Sequence, residues 1–393
     1  MIISLQSLSA AYPLRCLSAN GALAIAGSHV LDLKYGQTSH AWPELLKRPI
    51  RGSVSRDGTK ALVGYSDGSA SLFIFGESDP LLTVSRFTQT GSSVSRDDRP
   101  PLITVCVDAK TETGLLAYAD GMIYAVDLKN GLLREIVSPS SLERLAKKVI
   151  PKIERNAARR RGEHRLSKEI RGLFERPERV YQISRATLTP DGRLAATACD
   201  GDAVRIWDVA TGECIREQPT PVLQSFSEGE VTYLNATTDG KAVVFTTHEG
   251  TAHFWRFGEN TKSVMHNTGQ FSLVEHAISP DGKWVVYGRM GCSLELWDTS
   301  TQKLVRRFDE TAGCDDTIVN TIALNNRVVL AASGDEGLIH NINAWDIATG
   351  AVLATYPLSR GCFSLSNISD NGRFICCTDD GEIHFLTIDN LAY

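Results

Sequence analysis

The sequence lacks most of the signatures that would name a chemistry. Among 393 residues there is no run of 18 apolar residues, so no membrane-crossing helix is expected. The opening segment MIISLQSLSAAYPLRC has no basic start, and Arg15 interrupts its weak apolar run, so no secretory leader is expected. There is no GxxxxGK[ST], no GxGxxG and no HExxH, and GESDP at 76–80 does not make a GxSxG elbow. The usual signals for phosphate cradles, dinucleotide sites, zinc proteases and ester hydrolases are therefore missing. Nine cysteines (Cys16, Cys106, Cys199, Cys214, Cys292, Cys314, Cys362, Cys376 and Cys377) are odd in number and show no CxxC spacing. Neither a disulfide framework nor a zinc knuckle follows. Scattered thiols fit a reducing compartment, and a cytoplasmic location is expected.

A one-signed charge excess is also missing overall, because the net charge is only −5. That balance hides a division. Residues 138–179 carry 13 Lys and Arg against six Glu, a net of +7, so the rest of the chain sums to −12. A basic appendage on an acidic body is implied, not a basic protein throughout.

What the sequence has in abundance is repetition. Units related to TACDGDAVRIWDVATGECIR (197–216) recur at 24–37, 63–76, 116–135, 245–264, 286–305, 331–354 and 376–390. A second marker precedes nearly every unit: SANGAL, SRDGTK, TPDGRL, TTDGKA, SPDGKW and SDNGRF. Asp-Gly and Asn-Gly supply the positive-φ residues of tight hairpins. Each unit therefore reads as strand, turn, strand, turn, strand, a D-x-x-T-G turn and a last strand. Four strands at a period of 40–50 residues predict an all-β fold, a single β-propeller of four-stranded blades. Eight turn-aligned units favour eight blades, with seven the count if one unit collapses. The last unit runs out after three strands, so residues 1–9, where Ile3 and Leu5 alternate with polar neighbours, are expected to close it.

At RIWD (205–208), ELWD (295–298) and NAWD (343–346) the units resemble WD40 repeats, and the resemblance covers all eight in outline. FWRF (254–257) keeps Trp255 but has Arg256 in place of Asp, and the Gly-His dipeptide of the family is absent. The His–Asp network of well-formed WD40 blades is therefore not expected. The family resemblance implies a rigid platform that binds partners. Trp207, Trp255, Trp297 and Trp345 recur at one position, which reads as packing between blades.

One segment breaks the period. The turn glycines Gly121 and Gly201 are 80 residues apart, leaving an insertion at 138–179. Ser140 and Glu143 fit a capping box after Pro139, and Leu142, Leu145, Val149, Ile150 and Ile153 recur at helical spacing, in a helix that Pro151 should kink or break. Leu166, Ile170, Leu173 and Phe174 form a second stripe. A basic helical insertion between blades 3 and 4 is predicted, dividing the chain into blades 1–3 (1–137), insertion (138–179) and blades 4–8 (180–393). Its charges are either a solvated exterior over stripes that pack on the propeller, or a contact for an acidic partner. The partner-binding candidates are Lys147, Lys148, Arg159, Arg160, Arg161, Arg165, Lys168 and Arg171. Nucleic acid is the alternative partner, but only Phe174 is near for base stacking, and six Glu weaken a phosphate grip.

Catalytic residues, metal ligands and cofactors are not predicted. An eight-unit propeller also resembles the quinoprotein dehydrogenases, but Ala354 and Arg216 stand where their docking turns carry Trp. Cys376 and Cys377 are neighbours on a strand, where side chains alternate faces, so the pair reads as two small buried residues. His340 and His384 are read as equivalent strand positions. An enzyme or ligand sensor built on the central channel would need His, Asp or Glu converging at equivalent positions of several blades, and none is visible. The expected function is non-catalytic: a protein–protein interaction scaffold.

Overall fold

The computed structural model describes residues 2–9, 15–17, 23–26, 29–32, 37–41, 49–55, 57–74, 77, 79–89, 100–107, 112–137, 183–199, 203–219, 231–237, 239–247, 252–257, 263–266, 273–289, 293–309, 318–334, 340–366, 368–378 and 382–389. The predicted insertion, 138–179, lies outside them. The only helix among the described residues is the single turn Arg86–Gln89. Everything else that is regular is strand, in eight four-stranded antiparallel sheets.

Sheet 1 holds Arg15–Leu17, Leu23–Ala26, His29–Asp32 and Gln37–Ala41. Sheet 2 holds Pro49–Val54, Lys60–Tyr65, Ala70–Ile74 and Leu82–Val84, and sheet 3 holds Leu102–Val107, Thr113–Tyr118, Ile123–Asp127 and Leu133–Val137. Sheet 4 comprises Ile183–Leu188, Leu194–Cys199, Ala203–Asp208 and Cys214–Pro219. Sheet 5 comprises Val231–Ala236, Ala242–Thr247, Ala252–Arg256 and Ser263–His266. Sheet 6 runs through Leu273–Ile278, Trp284–Arg289, Ser293–Asp298 and Lys303–Asp309, and sheet 7 through Ile318–Leu324, Val328–Gly334, His340–Asp346 and Val352–Leu358. In these seven, each strand pairs with the next along the chain. Sheet 8 has Cys362–Leu365, Arg373–Thr378 and Glu382–Ile388, and its outermost strand is Ile2–Ser9. Ile2 stands opposite Ile388 and Ser9 opposite Glu382, with a bulge between Ser4 and Gln6.

Local chemistry explains where the strands stop. After the first strand of sheets 2, 4, 5, 6 and 8 comes a hydroxyl residue: Ser55, Thr189, Thr237, Ser279 or Ser369. Each hydroxyl donates to the side-chain oxygen two residues on (Asp57, Asp191, Asp239, Asp281 or Asn371) at 2.6–2.7 Å. In four of them that carboxylate accepts the N–H two residues further still, from Thr59, Arg193, Lys241 and Lys283. The side chains thus satisfy backbone groups that the ladder leaves over, and the following glycine reverses the chain.

The first strands of sheets 1 to 5 lie side by side in turn, as do those of sheets 6 to 8. Sheets 5 and 6 meet through Val244, Ile278 and Tyr287, and Arg15–Leu17 lies beside Arg373–Thr378, so sheet 8 meets sheet 1. Between the sheets lies the core. Leu115, Ile136 and Ile183 join sheets 3 and 4; Val204, Val231 and Phe245 join sheets 4 and 5; Val286, Val319 and Trp345 join sheets 6 and 7. Trp207, Trp255, Trp297 and Trp345 pair with Ala195, Val243, Val285 and Val329, the same register in each sheet. Each packs on the preceding sheet. Trp207 adds a hydrogen bond, its Nε1–H donating to Thr197 Oγ1 at 2.9 Å. Of these tryptophans, the buried Trp207, Trp255 and Trp345 carry about 3–5 kcal/mol each against truncation to Ala, and the half-buried Trp297 less.

Candidate functional site

The sheets present two rims. One collects the turns joining first to second and third to fourth strands. The other collects the turns joining second to third strands and every sheet-to-sheet connection, and it is called the crossover rim below. The predicted partner-binding residues, Lys147, Lys148, Arg159, Arg160, Arg161, Arg165, Lys168 and Arg171, lie outside the described residues, so the structure brings none of them together. It does describe where their segment leaves and rejoins the propeller. Val137 ends the outer strand of sheet 3 and Ile183 begins the inner strand of sheet 4, both on the crossover rim. Ile136, Val137 and Ile183 are all buried in one cluster, so both roots are fixed.

The best-built described feature of this rim stands between sheets 2 and 3. Arg86 follows the outer strand of sheet 2 and is 7% exposed. Its guanidinium forms an ion pair with Asp120, in the turn between the second and third strands of sheet 3. It lies 4.2 Å from the ring centre of Tyr118, 4.6 Å from that of Phe87 and 6.0 Å from that of Tyr124. Tyr118 donates its hydroxyl to the carbonyl of Gly68, on the facing turn of sheet 2, at 2.9 Å. Burial raises the Tyr118 hydroxyl above its ordinary range, and the nearby Arg86 charge only partly offsets this. A cation held by aromatic faces and one carboxylate gains most when desolvated. Here every element is satisfied within the chain, so the cluster locks two sheets together. The sequence offered no signal for it, because Arg86 and Asp120 are 34 residues apart.

Polar residues do recur at equivalent positions. Two residues before the packing position, the third strands carry His29, Ser71, Tyr124, Arg205, His253, Glu295, Asn343 and His384. In four sheets the residue opposite on the outer strand completes a polar pair. The Ser71 and Thr83 hydroxyls are 2.8 Å apart, and Thr355 donates to Asn343 at 2.7 Å. Arg205 Nε donates to Glu217 at 3.2 Å, and Arg307 Nε to Glu295 at 3.2 Å. These are third strands, two removed from the inner strand of each sheet. The register also separates two histidines read as equivalent: His384 occupies the place of Asn343, and His340 comes three residues earlier in its strand.

Nearer the axis, Arg51 and Arg185 sit at matching points of the inner strands of sheets 2 and 4, opposite Gly64 and Ala198. Arg51 Nε donates to the Ile103 carbonyl at 2.6 Å, and Arg185 Nη1 to that of Ser184 at 2.8 Å. Partial burial, and then the Arg185 charge, pull the Arg51 guanidinium below its ordinary value.

The other rim is a ring of capped carboxylates. Asp208 accepts the N–H groups of Ala210 and Thr211 at 2.9 and 2.8 Å, and Asp298 and Asp346 do the same in their turns. The Thr211 N–H is the main reason the Asp208 carboxyl lies below the usual carboxylate value. These acids are occupied in holding turns, which leaves them poorly placed for proton transfer.

Fold and register together define the class: the chain is a β-propeller, similar in sequence to WD-repeat proteins. Over 99% of its length it superposes on the whole of a solved chain, the β-propeller domain of Myceliophteria thermophila Cps50 (Swd1), with a TM-score of 0.58 and 12% identity, a likeness of fold. In sequence it is similar to periodic tryptophan protein 2 of Arabidopsis thaliana, 22% identical over 219 residues, 54% of this chain and 23% of that protein. It is also similar to telomerase protein component 1 of Rattus norvegicus, 27% identical over 151 residues, 37% of this chain and 5% of that protein. A third relative is NACHT and WD repeat domain-containing protein 2 of Mus musculus, 22% identical over 205 residues, 51% of this chain and 11% of that protein. The chain thus spans less than a quarter of the length of these relatives. No family model matches it. Among the described residues, no helix is long and apolar enough to cross a membrane.

Proposed function

We propose that this propeller is a non-catalytic scaffold that assembles a protein complex in the cytoplasm through its crossover rim. On this reading the segment 138–179 carries the specific contact, with Lys147, Lys148, Arg159, Arg160, Arg161, Arg165, Lys168 and Arg171 meeting an acidic protein surface. The observation that carries the reading is a net charge of +7 spliced between two buried strand ends of an otherwise acidic chain. Rigid roots limit the entropy lost when such a segment docks. Opposite charges also speed encounter. The relatives with WD repeat in their names supply the general expectation of a platform.

Affinity purification from the native cell, comparing the full chain with a 138–179 deletion, tests this. The expected result is loss of a defined set of partners from the deletion and from the triple charge reversal Arg159→Glu, Arg160→Glu, Arg161→Glu. Recovery of the same partners by all three proteins overturns it. Capture of nucleic acid with an affinity that falls steeply as salt rises would replace the protein partner with the alternative one.

A further inference from the structure

Sheet 8 holds a chemically reactive line of side chains that the platform reading does not use. Cys362 opens its inner strand and Cys376 lies on the next, with sulfurs 3.0 Å apart. Two thiols in ordinary van der Waals contact stand farther apart, and a disulfide bond requires about 2.05 Å. A modest side-chain rotation separates this arrangement from the bond. Cys376 lies two residues from Thr378, the ladder partner of Cys362, and a bulge follows between Cys362 and Ser364. Beyond the bulge Leu365 stands opposite Cys376. Both cysteines are buried against sheet 7. On the other side of Cys376, directly opposite in the ladder, is His384. Directly opposed residues of an antiparallel pair share a face with their Cβ atoms about 5 Å apart. The His384 imidazole in turn has its Nε2 3.6 Å from Glu382 Oε2. Sulfur, sulfur, imidazole and carboxylate therefore follow one another across the three strands nearest the axis in sheet 8.

We propose that Cys362, Cys376 and His384 form a redox-active dithiol site, oxidised by hydrogen peroxide to a Cys362–Cys376 disulfide. His384 takes the proton of the Cys376 thiol, making the nucleophilic thiolate. The thiolate attacks one peroxide oxygen and the O–O bond breaks. Cys376 becomes a sulfenic acid, and the departing hydroxide takes the proton back from the imidazolium as water. The Cys362 sulfur then displaces the sulfenic hydroxyl, which leaves as a second water with the Cys362 proton. Two thiols and one peroxide give one disulfide and two waters, and a thiol reductant reverses the change. Cys377, the neighbour on the strand, points to the other face and takes no part. Cys106 provides an internal comparison. It is the thiol whose value burial pushes up to about 12, and it is predicted to stay reduced.

Bridging Cys362 and Cys376 closes a loop of about 15 residues, which the chain-entropy relation equates with roughly a hundred-fold shift of the folding equilibrium. The site would thus make the sheet that joins the chain's two ends firmer under oxidising conditions.

The test treats the intact wild-type chain with a small excess of hydrogen peroxide, alkylates it in denaturant without reductant, and maps the peptides. The expected result is one cross-linked pair joining Cys362 to Cys376, removed by dithiothreitol, with Cys106 and Cys377 alkylated. A Cys377→Ser variant should give the same link, and His384→Ala should give it at least tenfold more slowly. Full alkylation of Cys362 and Cys376 after oxidation overturns the site, as does a Cys376–Cys377 link. An undiminished rate in His384→Ala overturns the assignment of the imidazole.

Discussion

Gly212 and Gly240 have nearly the same backbone and different surroundings, which makes them a controlled pair. Their φ angles are +71° and +65°, in the left-handed region. An L-residue there costs about 1–2 kcal/mol. A Cβ on Gly240 would find Pro190 Cδ at 3.6 Å, an ordinary contact. A Cβ on Gly212 would stand 2.9 Å from the carbonyl oxygen of Ile136, in the outer strand of the preceding sheet. That oxygen belongs to the main chain and cannot rotate away, so the two sheets must separate slightly, an overpacking cost of about 1–3 kcal/mol. Gly240→Ala is therefore expected to lose about 1 kcal/mol and Gly212→Ala about 3 kcal/mol, a gap of roughly thirty-fold in the folding equilibrium. Urea unfolding of the intact chain, followed by tryptophan fluorescence, measures both from their midpoints at unchanged slope. Costs agreeing within about 0.5 kcal/mol would show that the D-x-x-T-G glycine serves only to reverse the chain and that the intersheet contact contributes nothing.

The remaining expectations concern pairs, strain and acid. Glu217→Ala removes the carboxylate from Arg205, whose side chain is only 1% exposed. Because Glu217 itself keeps 29% exposure, a loss of about 2–3 kcal/mol is expected. The double variant Arg205→Leu, Glu217→Ala should recover part of it in a double-mutant cycle, and simple additivity would count against a coupled pair. Gln302 occupies a left-handed conformation (φ +58°) where the other D-x-x-T-G turns place glycine, so Gln302→Gly should stabilise by about 1 kcal/mol; a loss would show that its side chain makes a needed contact. Asp57, Asp208, Asp239, Asp298 and Asp346 all have carboxyls held below their ordinary value. Near pH 4 the unfolded chain therefore binds more protons than the folded one. The stability they contribute is complete above the unfolded value of about 3.9 and is lost as pH falls through the lower folded values. Urea midpoints between pH 5 and 3 should fall less steeply in Asp208→Asn than in the wild type, and parallel curves would contradict this.

Which parts of this architecture were legible follows from how far apart the deciding residues are. The Ser/Thr-x-Asp-Gly turns were readable because hydroxyl, carboxylate and captured N–H lie within five residues. The shared tryptophan position was readable because it rides on a turn signal directly after it. The polar pairs on the third and fourth strands required the register of two strands and the bulge between them, as in Arg205 with Glu217. The Arg86–Asp120 contact joins two sheets and left no periodic trace. Comparing Cys376 with its sequence neighbour Cys377 was correct about alternation, but it looked along the strand when the closer sulfur lay across it. The equivalence assigned to His340 and His384 failed for a related reason: counting from a turn does not fix register when turns differ in length. The basic segment was conspicuous by charge alone, and its specific contacts remain a matter for the deletion experiment.

The pairing of Ile2 with Ile388 also bears on how the molecule is made. A hairpin of five residues forms as soon as it is synthesised, but this ladder cannot form until the 385 residues between Ile2 and Ile388 have also been made. Loop-closure entropy grows with the logarithm of length, so the closing contact carries roughly 4 kcal/mol more of it than such a hairpin. Until then the edge of Glu382–Ile388 and the first segment both wait with open backbone groups, and a nascent or truncated chain is at its most prone to pair with another copy. Pairing Ile2–Ser9 with Glu382–Ile388 makes this long-range, entropically costly contact the step that completes the eighth sheet, so the slowest folding phase should map to this strand.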